Sequence, residues 1–130
     1  MYRATTREIQ VTVEPNFLED ESAPAEGRFF WAYTIEISNR GSDPVQLKSR
    51  YWRITDAKGH VEEVRGPGVV GETPTIEPGR SFTYTSGCPL RTSSGLMVGS
   101  YAMTSAAGEV FEVAIPAFSL DSPYARPMLN

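Results

Sequence analysis

The sequence predicts an all-β fold, an antiparallel sandwich or barrel formed by one domain spanning residues 1–130. Three observations predict it. Apolar and polar residues alternate with period two in segment after segment, the pattern of strands buried on one face. Turn-forming residues separate those segments at short intervals. No window of about 11 residues carries the i, i+3, i+4 apolar stripe of an amphipathic helix.

Met1 to Arg7 leads directly into a strand-like segment and has no apolar h-region, so no secretory signal is expected there. Ile9, Val11 and Val13 then share one parity, with Glu8, Gln10 and Thr12 on the other, which makes a half-buried strand. Leu18 to Gly27 is acidic and reads as a solvated connection. Phe29 to Asn39 alternates strongly, with Trp31, Tyr33, Ile35 and Ile37 on one face. Its neighbour Phe30 falls on the opposite face, as a cross-strand packing partner or a binding anchor. Asn39-Arg40-Gly41-Ser42-Asp43-Pro44 ends that strand.

Val45 and Leu47 open the next strand, but Trp52 and Ile54 fall on the other parity. One extra residue near Ser49-Arg50 reconciles the halves, so a bulge is expected there. Asp56-Ala57-Lys58-Gly59 is a tight turn, because Asp bonds its own backbone and Gly accepts positive φ. His60 to Val64 should return antiparallel. Gly66 to Gly79 is too rich in Gly and Pro for regular structure. Ser81 to Ser86 alternates again, and Met97, Gly99, Tyr101 and Met103 define a further strand. Ser105-Ala106-Ala107-Gly108 turns the chain into a last strand with Phe111, Val113 and Ile115, which Pro116 should stop.

Charge and composition exclude several function classes. The net charge is −4 and the pI about 5.0, without a run of Lys or Arg, which gives no footprint for nucleic acid. No stretch approaches the roughly 18 apolar residues of a membrane-spanning helix. The single cysteine, Cys88, cannot close an internal disulfide and suits a reducing cytoplasm.

The segment Gly66-Pro67-Gly68-Val69-Val70-Gly71-Glu72-Thr73-Pro74 contains the spacing G-x-G-x-x-G. A dinucleotide fingerprint needs a helix immediately afterwards, to place the phosphate at its N-terminus. Pro74 and Pro78 oppose one, and no Gly-Lys-Ser/Thr follows. Two readings stay open. The glycines meet a backbone need for positive φ and close packing, or a non-helical nest of amides at Gly66, Gly68 and Gly71, helped by Arg65, holds a phosphate.

Other candidates are weaker. His60 shares a strand face with Glu62 only, too few ligands for a zinc site, so no metal and no cofactor are expected. Cys88 and the serines Ser86, Ser93 and Ser94 have no base nearby in sequence and no G-x-S-x-G elbow, so no catalysis is expected. The bulge region remains, where Arg50, Tyr51 and Arg53 flank an extra residue that can re-aim side chains.

The residues also carry a resemblance. Trp31 to Asn39, Ser49 to Asp56, Gly59, Glu63 to Pro74 and Pro78-Gly79 are similar to the ApaG family. So are Phe82 to Gly87, Gly95, Met97, Gly99, Tyr101, Ile115 to Leu120 and the terminal Leu129-Asn130. The resemblance implies a fibronectin type III or immunoglobulin-like sandwich, and the strand pattern suggests seven or eight strands. ApaG proteins are small bacterial proteins, often encoded beside a diadenosine tetraphosphate hydrolase and linked to cobalt resistance and magnesium efflux. Related eukaryotic domains look like protein-binding modules, in a DNA-polymerase-interacting protein and in an F-box protein.

The expected function is therefore a non-enzymatic cytoplasmic module that recognises an unidentified protein partner. Its contacts would come from sheet edges and from Arg50, Tyr51, Arg53, Val69, Glu72 and Pro74. Edge strands also allow a homodimer by strand addition. The alternative is recognition of pyrophosphate, a nucleotide or a diadenosine polyphosphate at Arg65, Gly66, Gly68 and Gly71.

Overall fold

The computed structural model describes residues 1–125; Leu129 and Asn130 of the resemblance lie outside them. In chain order the strands are β1 (Tyr2–Thr6), β2 (Ile9–Phe17), β3 (Phe29–Asn39) and β4 (Val45–Asp56). They continue with β5 (Val61–Pro67), β6 (Thr75–Ile76), β7 (Ser81–Leu90), β8 (Gly95–Ser105) and β9 (Val110–Leu120). Two antiparallel sheets result, ordered β1-β2-β3-β7 and β5-β4-β8-β9, with β6 added to β4. Their inner faces pack as a sandwich around the alternating residues expected from the sequence. Val11, Val13, Ile35, Ile37, Leu47, Met103 and Val113 have no exposed surface. Tyr33, Trp52 and Phe118 stack between the sheets with ring centroids 5.5–5.8 Å apart, where edge-to-face pairing adds to burial.

The strand count exceeds the seven or eight expected, for local reasons. β1 is closed onto β2 by Arg7-Glu8, both at positive φ (45° and 65°) without a glycine, so no turn signal announces the hairpin. Part of the Gly/Pro segment is regular after all: Gly66-Pro67 end β5 against Arg50 and Ser49, and β6 pairs with Val45-Gln46. Pro116 does not stop β9. It stands at a register shift opposite Met97–Gly99 on an edge strand, where a missing N–H breaks no ladder bond. Pro89 within β7 is tolerated for the same reason. The bulge in β4 lies between Leu47 and Ser49, which leaves Lys48 as the extra residue, slightly before the expected place.

The two sides of the sandwich differ. On one side β1 lies against β9. The Tyr2 hydroxyl bonds Ser119 Oγ at 2.9 Å, the Ala114 N–H donates to Thr6 Oγ1 at 3.2 Å, and Arg7 pairs with Glu109 at 3.0 Å. The other side is bounded by the β5 and β7 edges, and neither is paired with a further strand among the described residues.

Candidate functional site

The glycine loop connects β5 to β6 on this open side. Val69 and Glu72 exchange both backbone hydrogen bonds, at 2.8 and 2.9 Å, around a two-residue turn. Val70 (φ 43°) and Gly71 (φ 82°) both take left-handed backbone, which makes it a type I′ hairpin turn. Val69 is driven into the core with 0% exposure, so it plugs the sandwich rather than offering a partner contact as expected. Each glycine has a structural cause. At Gly68, φ is 59° and a Cβ would lie 2.2 Å from the Glu72 carbonyl oxygen; Gly71 needs only its positive φ. At Gly66 a Cβ would stand 3.0 Å from the Arg50 guanidinium.

That guanidinium ties the loop down. Arg50 Nη1 donates to the carbonyls of Pro67 and Gly68, both at 3.0 Å. It also lines a hollow of about 200 Å³ with Tyr33, Trp52, Val70, Gly71 and Tyr84. Beside this hollow the Tyr84 and Tyr101 hydroxyls bond each other at 2.5 Å. Burial pushes both phenols up, well above the ordinary tyrosine range.

The phosphate candidates are not brought together. Gly71 borders the inner hollow, whereas Arg65 and Gly66 border a separate depression with Ser49, Ser100 and Glu112. Arg65 lies 4.4 Å over the Tyr51 ring and 3.6 Å from Glu63, whose carboxylate accepts the Tyr51 hydroxyl at 2.6 Å. The Gly68 and Val69 amides already donate to Lys48 and Glu72 carbonyls. Of the partner-contact candidates, Arg53 and Glu72 are exposed and Tyr51 is half-buried. Pro74 is half-buried, and its carbonyl holds the Leu47 N–H at 2.9 Å.

Cys88 is buried, and desolvation pushes its thiol up to about 11, so it stays protonated near neutrality. His60 is largely exposed, with Nδ1 3.5 Å from Asp56. Desolvation raises the Asp56 carboxyl, but N–H donors from His60 and Lys58 outweigh it and leave it below the usual range.

A larger concavity lies elsewhere on the open side. A groove of about 720 Å³ runs between the start of β5 and the end of β7. Phe29, Phe30, Ile54, Val61, Pro89 and Leu90 give it an apolar lining. One wall is the acidic segment, which is folded rather than a loose connection. It makes two short 3-10 turns, Glu19–Glu21 and Pro24–Glu26. Ser22 Oγ donates to the Leu18 carbonyl at 2.7 Å and accepts the Phe30 N–H at 3.0 Å, which fixes the segment to β3. Gly27, at φ 67°, lets the chain turn back so that Ala23 and Arg28 bridge. Phe30 leans over Gly87, where a Cβ would lie 2.6 Å from its ring, so it packs and lines the groove at once. Sequence reasoning missed this groove because its lining comes from three stretches, 20–30, 54–62 and 89–91, that are far apart in the chain. The local signal was an acidic run directly before an aromatic pair.

A family profile described as the ApaG domain matches residues 19–105 of this chain. The chain belongs to the ApaG family. It is 64% identical to the Protein ApaG of Brucella anthropi and 62% identical to that of Methylorubrum extorquens, over the full length of both partners in each comparison. It is also similar to a crystal structure of the ApaA protein from Bordetella pertussis, with 45% identity and a TM-score of 0.87. That match covers 90% of this chain and 95% of the Bordetella one. The matched profile spans the acidic wall, the groove lining and the glycine hairpin, so all three fall within the family domain.

Proposed function

We propose that the chain is a small, non-catalytic, cytoplasmic binding module that recognises a segment of a partner protein on the open side of the sandwich. One observation carries the reading: the β5 and β7 edges, neither paired with a further strand among the described residues, flank an apolar groove of about 720 Å³. The Asp56 N–H donates to the His60 carbonyl at 2.9 Å. Continuing that alternation along the β4–β5 ladder leaves the backbone groups of Val61, Glu63 and Arg65 directed away from β4. An extended segment can add to this edge by backbone pairing and place alternate side chains in the groove. Val61 is 48% exposed at its mouth.

On this reading, the family's association with cobalt resistance and magnesium efflux passes through a protein partner. Among the described residues no group of three His, Cys, Asp or Glu is placed to hold an ion. The test is site-specific photo-crosslinking in the native host, with a photoreactive residue at Val61 or, as control, at Val98 on the outer face of β8. The expected result is a discrete adduct from Val61 only, whose protein partner then binds the purified chain. Equal adduct patterns from both positions would count against the proposal.

A further inference from the structure

The groove also has a charge pattern that specifies what it takes. Its lining includes Asp20 and Glu21 on the acidic wall and Asp56 and Glu62 on the β4–β5 hairpin, so carboxylates face it from two sides. Three basic groups line it as well. Arg28 is already paired with Glu26 at 3.0 Å, His60 leans on Asp56, and Arg91 stands at the β7 end. A surface of this kind attracts cations around an apolar floor.

We infer that the groove accepts an extended peptide segment in which a bulky apolar residue is flanked, two positions away on each side, by Lys or Arg. This inference rests on the protein-binding reading above and deepens it. In an extended chain, residues i−2, i and i+2 project to one face, roughly 6.6 Å apart. The central side chain meets Phe29, Phe30 and Leu90 while the flanking cations reach the two acidic rims. Asp20, Glu21 and Glu62 are exposed, so each of their contacts adds little alone and discrimination comes from several acting together. The long Lys and Arg stems also cover apolar lining while their charged heads remain in water.

The test uses the full chain, labelled for amide NMR, and three nine-residue peptides. One is Lys-Thr-Lys-Thr-Leu-Thr-Lys-Thr-Lys; the others replace every Lys by Gln or by Glu. The Lys peptide should shift amides of Phe29, Phe30, Val61, Glu62 and Leu90. It should bind about tenfold more tightly than the Glu peptide, or about 1.4 kcal/mol, with Gln between them. The difference should shrink on raising NaCl from about 50 to about 500 mM, as the Debye length falls. A double variant, Glu21→Gln with Glu62→Gln, should remove the order; both positions are exposed and the fold tolerates them. Equal binding of all three peptides in the groove would overturn the charge inference and leave the peptide-binding reading standing. Absence of groove shifts with every peptide, or shifts confined to the outer face around Val98, would overturn both.

Discussion

Gly68→Ala is the sharpest perturbation of the open side. Gly68 takes φ 59°, where an L residue with a Cβ costs about 1–2 kcal/mol. The new methyl would also lie 2.2 Å from the Glu72 carbonyl oxygen, which belongs to backbone and cannot rotate away. Relief requires the Val69–Glu72 hairpin to shift, which draws Val69 from its fully buried seat. Exposing part of a valine adds on the order of 1–2 kcal/mol. The expected loss is about 2–4 kcal/mol for Gly68→Ala. Gly71→Ala has open space around it and pays only for φ 82°, about 1–2 kcal/mol. Urea unfolding followed by tryptophan fluorescence measures both, with an unchanged m-value as the check on two-state behaviour. A Gly68→Ala variant within about 1 kcal/mol of the parent, or a Gly71→Ala variant as damaged as Gly68→Ala, would refute the argument that the glycines answer to backbone geometry.

Two further outcomes follow from the same structure. Val70→Asn should stabilise the chain by about 1 kcal/mol, read as a Tm rise of about 3–5 °C, because a β-branched residue is strained at φ 43° and Asn is not; a fall in Tm would contradict the type I′ assignment. Stability should stay level from neutrality to about pH 8.5, and Cys88 should then remove about 3 kcal/mol by about pH 11, as the unfolded thiol ionises before the buried one held near 11. Tyr84 and Tyr101, whose buried phenols are raised, add to the decline from about pH 10, where the unfolded tyrosines ionise, and Cys88→Ala should flatten the part below that in urea titrations across the range.

Much of the fold was legible because strand parity is local. A residue's face is set by its neighbours two positions away, so Trp31-Tyr33-Ile35-Ile37 and Met97-Gly99-Tyr101-Met103 declared their buried sides without reference to any partner strand. The parity switch within β4 even revealed a bulge, one or two residues from Lys48. What parity cannot reveal is position within a sheet. Pro116 read as a breaker, yet it is harmless, because β9 turned out to be an edge strand. The Arg7-Glu8 turn was silent because its positive φ values are imposed by the β1–β2 hairpin, without the Asn or Gly that would mark it.

The candidate site was legible only in part. The G-x-G-x-x-G spacing correctly located a loop on the open side, but its residues answer to a type I′ turn, a close carbonyl and the passage of Arg50. The groove left only one local trace in the sequence, the acidic run before Phe29-Phe30. The sequence by itself determined the alternating strands, the turns between them, the scarcity of cysteine and the acidic balance, since each depends on residues near one another in the chain. Only the tertiary structure decided which strands lie at the edges, that Val69 is a plug, and that Asp20, Phe29, Glu62 and Leu90 share one groove. Those properties arise from non-local pairing of two sheets, where contacts form between segments whose separation leaves no periodic trace.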